Sequence, residues 1–375
     1  MDKHRINVII GIMFLLSHSL LIGIIQQVIV KLERGKPFMG KSLGLFSRNM
    51  GIDLGTANTL IYVKGKGIVL KEPSVVAVQR GTGQVLAAGE EAYKMIGRAP
   101  ADIIILRPLR DGVISNFETT KIMLREFISR IYHVRFHLPL SAVVSVSLDV
   151  TEIEKRAVIE ATRQAGVKKV YLVENSVAGA LGIDMPVEEN YANMIVDIGG
   201  GTSEAVVIAL GGIVSKNCLR LGGEQFNEAI IKYMRKKHNF LVGERTAEAV
   251  KIQIGTAIQS TPKQHLEVRG TDLEKRMPGR ITLNSWEVGE VLSEMINSII
   301  KIIKKTLEDT PVELITEIME RGIVMTGGGA LLKGLPQVVA EETNIPVYLA
   351  DHPLDSVALG TGKMLSSMSM LKQLA

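Results

Sequence analysis

The chain has 375 residues, enough for two domains with cores of their own. Its single cysteine, Cys218, excludes an internal disulfide framework and fits a reducing compartment. A net charge of +5 suits anionic partners such as a nucleotide or an acidic lipid surface, whereas 4% aromatics, with no basic run interleaved with them, argue against nucleic acid.

From Ile6 to Val30 the chain is almost wholly apolar, long enough to cross a bilayer. Lys31, Arg34, Lys36 and Lys41 follow it, against Lys3 and Arg5 before it, which as a signal anchor would leave the body in the cytoplasm. Two readings stay open here: a genuine anchor, or a true start at Met39. Leu43-Gly44-Leu45-Phe46, between Lys41 and Arg48, is either a peptide that dips into lipid or a plain terminus.

Met50 to Val63 reads as a β-hairpin whose turn carries an acid, a glycine and a hydroxyl: Asp53, Gly55, Thr56, Ala57 and Asn58. Such a turn lets backbone N–H groups approach a phosphate while the carboxylate faces a hydrated metal ion. Alone, it is also an ordinary hairpin. Pro73 to Val78 and Val85 to Ala88 read as strands, and Glu90 to Ile96 as a short helix. Phe117 to Ile131 has helical apolar spacing, followed by the mixed apolar and basic loop Tyr132 to Leu140. Ser141 to Leu148 reads as a buried strand. Thr151 to Glu154 opens a helix as a capping box, with Ile153, Ala157 and Ala161 on its inner face and Gly166 at its end. Val167 to Val173 is a further strand, closing on Glu174-Asn175-Ser176.

The hairpin then recurs. Met194 to Glu204 again runs apolar, Asp197, glycines (Gly199, Gly200, Gly201) and Thr202, and leads into Ala205 to Leu210. The following turn and strand recur as well, Lys66 to Leu70 in the first copy and Gly211 to Val214 in the second. Repetition on this scale implies two related halves, whose hairpins would clamp one polyphosphate between them. Helices are predicted from Gly222 and over Glu244 to Ile258. Thr261 to Arg280 is polar and broken by prolines and glycine. Val288, Leu292, Met295, Ile296, Ile299, Ile303 and Leu307 mark one long amphipathic helix. A third glycine cluster, Gly327, Gly328, Gly329 and Ala330, follows the strand Gly322 to Met325 and would admit a nucleoside close to the backbone. Pro353 to Met370 is predicted as a C-terminal helix.

These three motifs, with Gly-Lys-Gly-Ile-Val-Leu-Lys-Glu-Pro-Ser at 65–74, Arg-Pro-Leu-Arg-Asp-Gly-Val-Ile at 107–114, Gly-Glu-Arg-Thr-Ala-Glu at 243–248 and Glu-Arg-Gly-Ile at 320–323, resemble the MreB-type bacterial actins of the actin, heat-shock chaperone and sugar-kinase ATPase superfamily. The resemblance implies an α/β actin-like ATPase fold: two similar domains, each a mixed sheet flanked by helices with a smaller subdomain, and the nucleotide in the cleft between them. On that pattern residues 1–49 form a membrane-associating extension. Residues 50–190 form domain I, with its small lobe near 77–118. Residues 191–350 form domain II, with its small lobe near 225–285, and 351–375 return to domain I.

By motif match the resemblance implies that Asp53 and Asp197 hold Mg²⁺ through water. Gly55 to Asn58 and Gly199 to Thr202 would bind the phosphates of ATP. Glu248, Lys251 and Gly327 to Ala330 would meet the nucleoside; the other reading of Glu248 and Lys251 is a solvent-side pair three residues apart. It implies head-to-tail self-assembly into filaments, a place at the inner face of the cytoplasmic membrane, a membrane-inserting loop at 132–140, and cell-wall elongation proteins as partners. Three departures stand out. The family's Glu-Glu-Pro, whose second Glu is taken to activate water, is Glu174-Asn175-Ser176 here, and an amide cannot take a proton. Val-Pro-x-Gly-x-Thr is Val146-Ser147-Leu148-Asp149-Val150-Thr151. Gln253 stands where Glu is common. Slow hydrolysis with retained ATP binding is therefore expected. A non-hydrolysing nucleotide switch is the nearest alternative. A small-molecule kinase lacks a candidate catalytic Asp, and a chaperone ATPase would need a peptide-binding domain after the core.

Overall fold

A computed structural model describes residues 48–132, 140–258 and 263–366. The apolar N-terminal stretch, the Leu43 to Phe46 peptide and most of the 132–140 loop lie outside these residues. Among the described residues no helix is long and apolar enough to cross a membrane.

Ten strands build two sheets: β1 (Arg48–Leu54), β2 (Asn58–Val63), β3 (Gly67–Pro73), β4 (Leu140–Val146) and β5 (Lys169–Glu174), then β6 (Asn193–Ile198), β7 (Ser203–Ala209), β8 (Gly212–Leu219), β9 (Ile323–Thr326) and β10 (Val347–Leu349). The first sheet runs β5-β4-β1-β2-β3 and the second β10-β9-β6-β7-β8, the same order twice. In each, the first three strands in sequence pair antiparallel and the other two add in parallel. Even an irregularity is repeated: the register slips at Ile61/Tyr62 between β2 and β3, and at Val207/Ile208 between β7 and β8. Asp53 and Asp197 occupy the same place, one residue before the end of the first strand of each hairpin.

Each half has its own core. Met50, Ile52, Met123, Leu124 and Phe127 are fully buried in the first. In the second, the 24-residue helix Ser285–Glu308 lays Val288, Leu292, Ile296, Ile299 and Ile303 on the sheet, capped by Asn284 and Glu287 in a reciprocal box. Small sheets attach to the two halves, β-strands Val76–Gln79, Val85–Ala88 and Ile103–Leu106 to one, and Phe240–Leu241, His265–Asp272 and Met277–Asn284 to the other. The helix Ser356–Met364 lies against β1, with Gly362 packed on the Tyr62 ring.

Three local expectations change. The capping box on helix Glu152–Gln164 forms between Thr151 and Glu154. Its inner face, however, is Val158, Ala161 and Thr162, and Ile153 is 79% exposed. One isoleucine followed by alanines sets the phase of a helix weakly. The helix from Glu244 ends at Ile254 rather than Ile258, because Thr256 and Ala257 turn away to pair with Lys333. Helix Asn175–Gly182 has no apolar period to predict it; its small-residue composition hides a helix that fits closely against Ser356 and Gly360.

Candidate functional site

Two turns of the same design meet face to face. In the first, Ser74 donates its N–H to Ala57 O (2.9 Å) and its hydroxyl to Gly55 O (2.7 Å). With those carbonyls held from behind, the turn's N–H groups are left for a ligand. In the second, Gly199 N–H donates to Thr202 O at 2.8 Å, and Gly199 and Gly200 accept from the N-terminus of helix Gly223–His238. A Cβ on Gly200 would stand 2.7 Å from Ala57 Cβ, and one on Gly201 2.7 Å from Thr56 Oγ1. Glycine here is a requirement of close approach. Gly112, at φ +79°, donates its N–H to Thr56 Oγ1 at 3.0 Å and packs on Thr202.

Between the hairpins lies a cavity of about 710 Å³, within the range of sites that hold a nucleotide-sized molecule. Asp53, Gly55, Thr56, Ala57, Asn58, Asn175, Asp197, Gly199, Gly200, Gly201, Thr202, Glu248, Lys251, Gly327, Gly328 and Gly329 all line it. Ala330 does not: it sits in the 3-10 turn Gly328–Leu331 with its methyl in the core of the second half. Gly327, at φ +82°, leaves no room for a side chain beside Asp197, whose Oδ1 would lie 2.5 Å from a Cβ. Gln253 is also in the lining.

Asp197 is buried, Asp53 partly so, and the two share the cavity. Burial pushes Asp53 up to about 6, against a hydrogen bond from Ser145 (3.0 Å) that favours the charged form; nearby Asp355 pushes it further up. Asp197 is pushed well above the usual carboxylate range by burial, then by the charges of Glu204 and Asp53. Two desolvated acids, with the charge of Asp53 raising the pKa of Asp197, are the environment that a cation relieves. Among the described residues no cluster of three or more His, Cys, Asp or Glu is placed to hold a metal by itself. A divalent ion here would complete its shell with water and ligand oxygens, as magnesium does.

Part of the cavity wall is apolar. Ile252, Leu331 and Leu354, all substantially exposed, line it with apolar surface. Asn227 Oδ1 and Glu224 Oε1 are buried without a hydrogen bond, the latter 3.3 Å from the Arg107 guanidinium, and both residues line the cavity. Lys251 and Glu248 do not pair with each other on the solvent side. Lys251 Nζ donates to Gly223 O at 2.9 Å, and Glu248 Oε2 accepts from the Tyr93 hydroxyl at 3.0 Å. Burial lowers the pKa of Lys251, opposed by Glu248, Glu224 and Glu244. Sequence reasoning missed Glu224, Asn227, Arg107 and Tyr93, because single residues far apart in the chain carry no pattern.

Glu224 yields a pH prediction. Burial pushes it up to about 7, although Arg107 stands 3.3 Å away. A carboxyl raised in the folded state adds stability that is complete below its ordinary value near 4.5 and is lost as pH rises through about 7. Denaturant titrations at pH 5 and 7.5 on wild type and Glu224→Gln should show a smaller loss across that window in the variant.

Two of the sequence departures, Ser147 and Ser176, converge on one group. Glu204, fully buried on β7, accepts from Ser147 Oγ (2.7 Å), Leu148 N–H (3.0 Å) and Ser176 Oγ (2.5 Å), and from the Ser176 backbone N–H. Glu174, the N-cap of helix Asn175–Gly182, makes no side-chain cap, so a carboxylate from the other half caps that helix instead. Ser147 and Ser176 stand where the resembled pattern has prolines, and a proline at 176 has no N–H to give. Asn175 directly precedes Ser176, and its amide makes no hydrogen bond among the described residues. Hydrogen bonds to a charged group contribute about 1.5–3 kcal/mol each. Ser147→Ala and Ser176→Ala should each destabilise by that amount, and the double variant should be non-additive by at least about 0.5 kcal/mol in denaturant unfolding.

Two like-ordered mixed sheets flanked by helices, with paired acid-and-glycine hairpins across one cleft, define the actin-like ATPase fold. The chain belongs to the MreB/Mbl protein family, whose family model matches residues 47–373. It is 45% identical over 327 residues to the cell shape-determining protein Mbl of Bacillus subtilis (strain 168), covering 87% of this chain and 98% of Mbl. It is 46% identical over 335 residues to the cell shape-determining protein MreB of Escherichia coli (strain K12), covering 88% and 96%. The crystal structure of MreB5 of Spiroplasma citri bound to ADP superposes with a TM-score of 0.82 at 31% identity, over 88% of this chain and 99% of that one.

Proposed function

We propose that this protein binds ATP in the cleft, assembles head-to-tail into actin-like filaments and determines rod cell shape by organising cell-wall synthesis at the inner face of the membrane. The observation that carries the reading is the pair Asp53 and Asp197, at equivalent positions of two hairpins that touch, in one cavity. Its support from relatives is the cell-shape role in the names of Mbl and MreB and the ADP bound to MreB5. The hairpin N–H groups and the Thr56 and Thr202 hydroxyls hold the phosphates. Ile252, Leu331 and Leu354 receive the base, and Glu224 and Asn227 accept hydrogen bonds from the nucleoside. Asp53 and Asp197 hold Mg²⁺ through its water; when bound, the ion neutralises phosphate charge.

Hydrolysis is slow in this account. Asn175 faces the cavity from the first turn of its helix, in the water-orienting position by resemblance. Its amide orients water without accepting a proton. A nucleotide switch that hydrolyses nothing is the reading this residue favours second. Membrane contact rests on Leu43, Leu45 and Phe46 with the flanking Lys41 and Arg48. Electron microscopy of the protein with ATP and Mg²⁺ tests the assembly: filaments are expected. Nucleotide binding without polymer at any protein concentration would reduce the reading to the switch.

A further inference from the structure

A second cavity, of about 600 Å³, runs along the outer edge of β5 and shares only Ser147 with the nucleotide cleft. Every residue from Lys168 to Glu174 lines it, and Val146, Ser147 and Leu148 close it at the end of β4. Side chains alternate faces along a strand, so a hollow over one face would meet only alternate residues. A hollow met by seven in succession runs along the strand's edge. Its opposite wall is Lys155, Ile159 and Arg163, one turn apart on a single face of helix Glu152–Gln164. β5 pairs with β4 alone, and among the described residues no strand covers its other side.

The groove is charged as well as open. Arg163, Lys168 and Lys169 are exposed and crowd the N-terminal end of β5. None of the three makes an ion pair among the described residues. Lys155, at the other end, is held by Glu152 at 2.9 Å and lies near Glu174. Beneath them Ile159, Val170 and Leu172 give an apolar floor, Val170 and Leu172 packed on the first core.

We infer that this edge is a docking site for an acidic, extended segment of another protein, which adds to β5 as a sixth strand. Backbone groups on the strand edge supply the pairing. The apolar floor takes every second side chain, and Arg163, Lys168 and Lys169 take carboxylates from the residues between. The segment is therefore one that alternates apolar and acidic residues. The chain itself offers none. Residues 1–47 carry Lys3, Arg5, Lys31, Arg34, Lys36 and Lys41 against Asp2 and Glu33, and Arg135 and Lys372 are the only Lys, Arg, Asp or Glu in 133–139, 259–262 and 367–375.

The test is fluorescence anisotropy on the full chain with a labelled ten-residue peptide alternating Val and Glu. Controls are its Lys counterpart and a version N-methylated at alternate amides, which cannot pair as a strand. The Glu peptide is expected to bind, at least ten-fold more tightly than either control. Arg163→Glu/Lys168→Glu/Lys169→Glu should weaken it at least ten-fold without lowering Tm, and binding should slow amide exchange in 169–174. Equal binding of Glu and Lys peptides would overturn the site. So would unimpaired binding of the N-methylated peptide, which needs no folded variant to interpret. Capture of phosphatidylserine vesicles through the same three cations, with no peptide bound, would assign them to a membrane instead.

Discussion

Asn175→Glu is expected to accelerate phosphate release from ATP about 100-fold or more, the lower end of what a positioned general base contributes. The site is otherwise equipped. Asn175 opens a helix whose N-terminus faces the cavity, so a glutamate there gains from the helix dipole and stays ionised. The cap that Glu204 gives through Ser176 fixes the turn and is untouched by the exchange. ATP affinity should stay within about three-fold, since the phosphate hairpins and nucleoside wall are unchanged. Single-turnover phosphate release separates the two quantities. A wild-type rate already equal to that of the variant would show that Asn175 does not limit hydrolysis.

Gly200→Val should cost ATP binding about 5- to 150-fold, the equivalent of the 1–3 kcal/mol typical of overpacking. The added carbons enter the space held by Ala57, so the two hairpins must part. Gly211→Ala is the control: that glycine has open space around it but a φ of +72°, so it reports backbone strain remote from the cleft. Calorimetric titration with ATP should separate them, the first losing affinity and the second keeping it. Full affinity in Gly200→Val would mean that the hairpins need not touch for nucleotide to bind.

The duplicated hairpins were legible because duplication is itself a pattern: Asp53 and Asp197 sit in runs that repeat down to the next turn and strand. The sheet order and the repeated register slip follow from that symmetry. The long helix of the second half was legible for its apolar period. The phase of helix Glu152–Gln164 was not, since Ile153 is the bulkiest apolar residue of its first turn and points to solvent. Helix Asn175–Gly182 was hidden because its stability comes from packing against Ser356 and Gly360, 180 residues away in sequence, and not from its own period. Within the site, the departures at Ser147 and Ser176 could be noticed singly, but that both answer to Glu204 is a fact of three dimensions. Glu224 and Asn227 gave no sequence signal because a place in the cleft wall is defined by tertiary surroundings.

The most direct measurement is anomalous diffraction from crystals grown with AMPPNP and Mn²⁺ in place of Mg²⁺. One manganese peak is expected in the cleft, within water-bridging distance of both the Asp53 and Asp197 carboxylates and against the nucleotide's phosphates. A peak served by only one of these acids, or nucleotide bound outside the two hairpins, would contradict this arrangement.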